Sequence, residues 1–351
     1  MKTNEKKKPP QGVLQKFRFL RAVLSKAAVL PLFAIVLFAG GANAADDKKP
    51  QAAASIAPLH SLLAGVMGEN PLLLINPGQS PHYVQLAPSQ VRALHNADIF
   101  FYIGGGGEGF SGRLLHSYKG KHIVFSQTIA TLPNRRPNFL KPRDKHGHDK
   151  EHDDEHRGHK HDKNEDDDDR KHRNRKHKHG SRDIHIWLDI NNARDMVKQM
   201  ADALGEQYPA KRETYRQNAA RMDAKLAALD EEIAAILADA KGKPFAVAHD
   251  AYQYFERRYD LAQPVALRGG FAGGLSARRL RAARDALHSR GIRCVFKEPQ
   301  LPARHLRALT EGGDAVIAVA DPLGANIPAG EEHYFATMRQ LAKSFADCLG
   351  R

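Results

Sequence analysis

The chain has 351 residues, 42% of them hydrophobic, which is long enough for more than one domain and apolar enough for a sizeable core. Its net charge of +14 suggests a nucleic-acid partner, but residues 1–44 hold eight Lys/Arg against one Glu, leaving 46 Lys/Arg and 39 Asp/Glu, or +7, on the other 307. That remainder gathers in one mixed-sign tract with no basic, aromatic-interleaved face, which argues against nucleic acid, while 19 His beside 2 Cys point to metal or proton chemistry without thiolates.

The N-terminus reads as an address. Lys2, Lys6, Lys7, Lys8, Lys16, Arg18, Arg21 and Lys26 form a basic region ahead of an apolar run over 27–39. That run is too short to span a bilayer comfortably, and Ala42-Asn43-Ala44 follows it as an A-x-A cleavage site. Residues 1–44 are therefore expected to be a signal peptide, with an uncleaved anchor as the alternative. No Cys lies just after the run, so a lipoprotein anchor is not expected.

Beyond residue 50, short apolar runs alternate with helix-period stretches. Expected strands are 52–56, 72–75, 99–103, 122–125, 184–188, 245–248, 264–267, 292–296 and 315–319. Expected helices are 58–66, 88–95, 192–204, 251–259, 276–289, 302–310 and 331–349. Such alternation with continuous apolar strands predicts an α/β fold with one or two mostly parallel sheets flanked by helices. The glycine run Gly104–Gly107 lacks the G-K-[ST] ending of a phosphate loop.

Two segments break this rhythm. Asp144–Gly180 contains nine His, eleven Lys/Arg, twelve Asp/Glu and no apolar residue. It cannot bury enough surface to offset its ordering entropy, so a disordered loop is expected. Its histidines (His146, His148, His152, His156, His159, His161, His172, His177 and His179) make a compositional, weak metal-binding tract. Within it, His152-Asp-Asp-Glu155-His156 matches a zinc-peptidase pattern, but chance produces such matches readily in this composition, and that chemistry needs a rigid helix in a closed cleft.

The second anomaly runs from Pro209 to Ala240. Apolar residues at 215, 219, 222, 226, 229, 233 and 236 recur at intervals of three and four, a helical stripe beginning at a proline and ending before Gly242. A single seam of this length between α/β units reads as an internal backbone helix in preference to a coiled-coil dimer. Cys294 lies in an apolar strand pattern and Cys348 near the C-terminal end. An exported chain with two cysteines is expected to join them, although two buried thiols remain the alternative.

Four good ligands sit at or near the ends of expected strands: His82, His185, His249 and Asp321. In open α/β sheets ligands bind at the carboxyl ends of strands. Spacing alone does not bring residues dispersed over 240 positions together, and each could serve a core or a turn. His60 reads as a core or capping residue, Trp187 as packing for the His185 strand, and His333 as a solvated first-turn residue.

At these segments the chain resembles the metal-specific solute-binding proteins of bacterial ABC importers, most closely the periplasmic zinc-binding component. The motifs are Gly78-Gln-Ser-Pro-His82-Tyr-Val, His185-Ile-Trp-Leu-Asp189, His249-Asp-Ala-Tyr-Gln-Tyr-Phe255, Glu298-Pro-Gln300 and Asp321-Pro-Leu-Gly324-Ala-Asn-Ile327. The resemblance extends from Ser55 to Cys348. It implies two lobes, 45–208 (carrying the loop 144–180) and 242–351, joined by a linking helix over 209–241, with metal held between them.

The resemblance carries ligand roles onto His82, His185, His249 and Asp321. Some relatives have an acid just before the first His, where this chain has Pro81, which leaves Asp321, directly or through water, as the fourth donor. Three imidazoles and one oxygen suit tetrahedral Zn²⁺ as transported cargo, whereas Mn²⁺ prefers more oxygen. The expectation is periplasmic zinc capture by a monomer, without enzymatic activity or nucleic acid, for a membrane permease and its cytoplasmic ATPase. A manganese or iron carrier of the same class, an exported metal sink or adhesin, and a zinc hydrolase are the alternatives.

Overall fold

The computed structural model describes residues 51–135, 182–267, 277–302 and 304–351. The expected signal peptide and the His-rich tract fall outside the described residues. Strand β1 (Ala52–Ala54), helix α1 (Ala57–Met67), β2 (Leu72–Leu73), α2 (Pro88–His95), β3 (Ile99–Tyr102), α3 (Ser111–Ser117), β4 (Lys121–Val124) and α4 (Phe125–Thr128) build the first sheet and its helices. Its order is β2-β1-β3-β4 and every pairing is parallel. Strands β1 and β3 are buried along their whole length, as expected of parallel strands covered on both faces.

A short antiparallel pair, β5 (Leu132–Pro133) with β6 (Arg182–Asp183), stands apart from the main sheets. Two helices follow, α5 (Ile190–Gln207) and α6 (Arg212–Ile236). The second parallel sheet comprises β7 (Ala246–Val247), α7 (Gln253–Tyr259), β8 (Val265–Ala266), α8 (Ala277–Ser289), β9 (Cys294–Lys297), α9 (Arg304–Thr310), β10 (Val316–Val319) and α10 (His333–Leu349). Its order is β10-β9-β7-β8, again parallel throughout.

Helix ends follow local chemistry. Helix α1 opens with Pro58 in its first turn and stops at Gly68, which adopts φ +75° and donates its N–H to the Ala64 carbonyl at 2.8 Å. Helix α2 likewise begins at Pro88, and the Gln90 side chain reaches back to accept the Ala87 amide at 2.7 Å. The long stripe forms α6, flanked by 3-10 turns at Pro209–Lys211 and Ala238–Ala240. Its buried residues Tyr215, Met222, Leu226, Leu229 and Ile233 face α1, α5 and α10, so the apolar seam is satisfied within the chain.

Two local departures from expectation have physical causes. The run 184–188 forms no strand: β6 ends at Asp183, and Ile186–Leu188 make a 3-10 turn. Asp183 Oδ1 accepts the His185 amide at 3.0 Å, an Asx turn that draws the chain out of the ladder. Helices α3 and α4 were not expected, being only seven and four residues long, too short for a period to register.

The core is continuous across both sheets. One apolar cluster runs from Ala52 and Phe101 of the first sheet through Trp187 and α6 to Phe296 and Phe345 of the second. Cys294 of β9 is bonded to Cys348 of α10, with Cα atoms 6.0 Å apart and both residues buried. The bridge closes a 54-residue separation, for which the chain-entropy effect is about 4 kcal/mol. Replacing both cysteines with Ala should lower the unfolding free energy by roughly that amount, moving the urea midpoint down; an unchanged midpoint would show that the bridge does not stabilise the fold.

Candidate metal centre

His82 lies on a 3-10 turn, Pro81–Tyr83, that follows the β2 segment. The Gly109 amide donates to the Pro81 carbonyl at 3.0 Å, and a Cβ on Gly109 would stand 2.9 Å from the His82 carbonyl oxygen. Only a glycine lets the two backbones approach this closely. His185 follows β6 at the Asx turn, and His249 follows β7. The three imidazoles converge: ring centroids are separated by 5.5 Å (His82–His185), 5.2 Å (His82–His249) and 4.9 Å (His185–His249). One ring nitrogen from each lies within 4.8 Å of the others, a spacing a single ion can bridge.

Two carboxylates orient two of the rings. His185 Nδ1 is 2.8 Å from Asp183 Oδ1, and His249 Nδ1 is 2.7 Å from Glu298 Oε1. A proton on each Nδ1 is thereby directed at a carboxylate, and Nε2 is left as the nitrogen available to a metal, the carboxylate–histidine arrangement common at zinc sites. Asp183 is itself held, since its Oδ2 accepts Gln253 Nε2 at 3.0 Å and its carbonyl accepts the Tyr254 hydroxyl at 2.8 Å. The Trp187 ring packs 5.3 Å from His185 while its indole N–H donates to the Pro322 carbonyl at 2.9 Å.

Burial, with His185 and His249 close by, lowers the His82 imidazole to about 4. For His249, burial pulls downward but the adjoining Glu298 carboxylate prevails and raises it. Burial alone would likewise raise Glu298 and Asp183, yet the imidazole each one holds brings it below the ordinary carboxylate value. The site thus combines three nitrogen donors with two carboxylates that stay ionised behind them.

Asp321 is not drawn into this three-histidine group. It is buried after β10, where Oδ1 accepts the amides of Leu323 and Gly324 at 3.0 Å each and Oδ2 accepts that of Ala325 at 2.6 Å. These three bonds leave one of its roughly four lone-pair positions for a further partner. His60 is a core residue of α1, with Nε2 3.1 Å from the Pro71 carbonyl. His333 corrects the expectation of a solvated ring: it is 1% exposed, with Nε2 3.1 Å from the Gly324 carbonyl. The Tyr334 amide donates to Ser61 Oγ at 2.9 Å, pinning the start of α10 against α1 and enclosing the ring. All nine tract histidines lie outside the described residues.

Glu298 stands within a motif and Asp183 two residues before one, and the sequence reading assigns neither a role. A sequence signal existed for Asp183, whereas Glu298 becomes visible only with the fold. Asp183 stands two residues before a histidine, the spacing of an Asx turn. Glu298 follows from register, because Val247 of β7 pairs with Phe296 of β9, and two further residues along each strand bring His249 beside Glu298.

A family model described as Zinc-uptake complex component A periplasmic, ZnuA, matches residues 53–348. The High-affinity zinc uptake system protein ZnuA of Brucella suis is 33% identical over 303 residues, 85% of this chain and 91% of that protein. Among solved structures, a crystal structure of ZnuA has a TM-score of 0.67 at 22% identity, covering 85% of this chain and 98% of that one. The SBP FpvC from Pseudomonas aeruginosa, in complex with Mn2+, has a TM-score of 0.66 at 17% identity, covering 86% and 99%. At these identities the structures share the fold, and the donors must decide the metal.

Proposed function

The chain belongs to the ZnuA family of periplasmic zinc-uptake components, and from that premise we propose that it captures Zn²⁺ at His82, His185 and His249 and delivers it to an ABC importer. The observation that carries this reading is the convergence of three imidazole nitrogens within 4.8 Å. Three neutral nitrogen donors match a borderline ion that accepts tetrahedral coordination, and they are a poor match for Mn²⁺. Asp183 and Glu298 balance the charge of a dication without binding it. Asp321, through its remaining lone pair or a water, supplies the fourth position.

In this reading residues 1–44 direct export and are removed, 45–208 and 242–351 act as lobes, and 209–241 spaces them. His82 and His185 come from the first lobe and His249 from the second, so the ion joins them. The ion is cargo and no reaction occurs at the site, since both nearby carboxylates are committed to imidazoles. A single chain holds every donor, so a monomer suffices. The partner is a membrane permease with its cytoplasmic ATPase, and the histidines of 144–180 collect further ions weakly.

Zinc titration against a chelating competitor tests this. The expected result is one tight Zn²⁺ per chain at neutral pH, preferred over Mn²⁺, followed by a weak phase. Deleting 144–180 should remove the weak phase and leave the tight one, because a tract without apolar residues must be ordered anew for each ion. Preference for Mn²⁺, or loss of the tight phase with the tract, would overturn the assignment.

A further inference from the structure

The ligands His185 and His249 stand on elements that share no backbone ladder. His185 follows the separate β5–β6 pair, whereas His249 follows β7 of the second sheet. Their spacing must therefore be held by other contacts. Side chains cross this boundary at four points: the Leu132 amide donates to the Tyr254 hydroxyl at 2.7 Å, Gln253 Nε2 donates to the Pro133 carbonyl at 3.2 Å and to Asp183 Oδ2 at 3.0 Å, and the Tyr254 hydroxyl donates to the Asp183 carbonyl at 2.8 Å.

The strongest crossing is ionic. Arg135, two residues beyond β5, donates from Nη1 to Glu256 Oε2 at 2.5 Å and from Nη2 to Glu256 Oε1 at 3.1 Å. It also donates from Nε to Asp250 Oδ2 at 3.2 Å and from Nη2 to Asp250 Oδ1. The Asp250 and Glu256 side chains are each 4% exposed and that of Arg135 15%. Asp250 directly follows the ligand His249. Buried ion clusters of this kind are often no more stable than well-packed apolar residues, so stability alone gives little reason for one here. A planar guanidinium forked onto two carboxylates does fix geometry, and an ammonium cannot reproduce that fork.

We propose that Arg135 is a positioning residue for zinc capture: forked onto Asp250 and Glu256, it sets the His249 turn against the β5–β6 pair that carries Asp183 and His185. It touches no ion itself. It fixes the relative placement of two ligand-bearing segments before metal arrives, so the site is built in advance. The inference rests on the zinc reading above.

The test compares wild type, Arg135→Met and Arg135→Lys in the full chain. Zinc affinity is read by chelator competition, and coordination geometry by the visible absorption of Co²⁺ placed in the tight site. Arg135→Met should weaken zinc binding on the order of tenfold, within the range seen when outer partners of metal ligands are lost. Arg135→Lys, which keeps the charge without the fork, should show a smaller loss, and both should change the Co²⁺ spectrum. A purely structural role would lower thermal stability while leaving the affinity and Co²⁺ spectrum of the folded protein unchanged. A folded Arg135→Met with wild-type affinity and spectrum overturns the proposal; if that variant does not fold, Arg135→Lys decides by the same two readouts. A wild type without a tight zinc site removes the zinc reading and this inference with it.

Discussion

Replacing His249 with Ala should weaken tight Zn²⁺ binding at least a hundredfold, about 2.7 kcal/mol or more. The site offers three imidazole nitrogens within 4.8 Å, and loss of one leaves two with no nitrogen donor from the second sheet. The substitution also strands Glu298, whose Oε1 lies 2.7 Å from His249 Nδ1, as a half-buried carboxylate facing an empty position. Without the imidazole, burial drives that carboxyl toward its protonated form, so it does not replace the lost ligand. Calorimetry with a competing chelator measures the effect. His288→Ala, which changes an exposed histidine on α8, should leave the tight phase intact. A His249→Ala protein that retains wild-type affinity would take His249 off the ligand set.

Much of this centre was legible before any coordinates. Local signals worked where their cause was local: Pro58 and Pro88 mark helix starts, Gly68 marks an end, and the three-four spacing of 215–233 marks the buried face of α6. The three histidines were readable as candidate donors near strand ends, but no spacing brings positions 82, 185 and 249 together without a fold to do so, and it was the resemblance that grouped them. Asp183 was hidden because the run 184–188 reads as a strand, whose extended backbone would not fold the Asp183 carboxylate back onto the His185 amide two residues on. The side-chain bond that makes it a turn is the same bond that orients His185. Arg135 carries no local signature, because its partners Asp250 and Glu256 are 115 and 121 positions away. Asp321 was placed by resemblance, and the structure gives its carboxylate three backbone partners that a sequence motif does not reveal.

Zinc affinity should fall in two stages as pH is lowered. Each metal-bound imidazole nitrogen must shed any proton it carries, so protons compete with the ion. In the metal-free protein His249 has a raised pKa: burial opposes protonation, but Glu298 favours the imidazolium enough to prevail. Competition at His249 therefore begins above the ordinary histidine value of about 6.5 and continues as pH falls. His82 behaves in the opposite sense, its pKa lowered to about 4 by burial and the neighbouring imidazoles, so it remains neutral until the solution is strongly acidic. Below neutrality the affinity should thus drop by about tenfold per pH unit for the proton displaced at His249, steepening again near pH 4 as His82 joins. Titrations in buffers of differing ionisation enthalpy would count the protons released, a number that should grow as pH falls. The Glu298→Gln protein isolates the cause: without the carboxylate the His249 pKa is no longer held up, and the first stage should move to lower pH. A first stage that stays in place in Glu298→Gln, or an affinity that is flat between pH 7.5 and 4.5, would contradict the pairing of His249 with Glu298 at the metal.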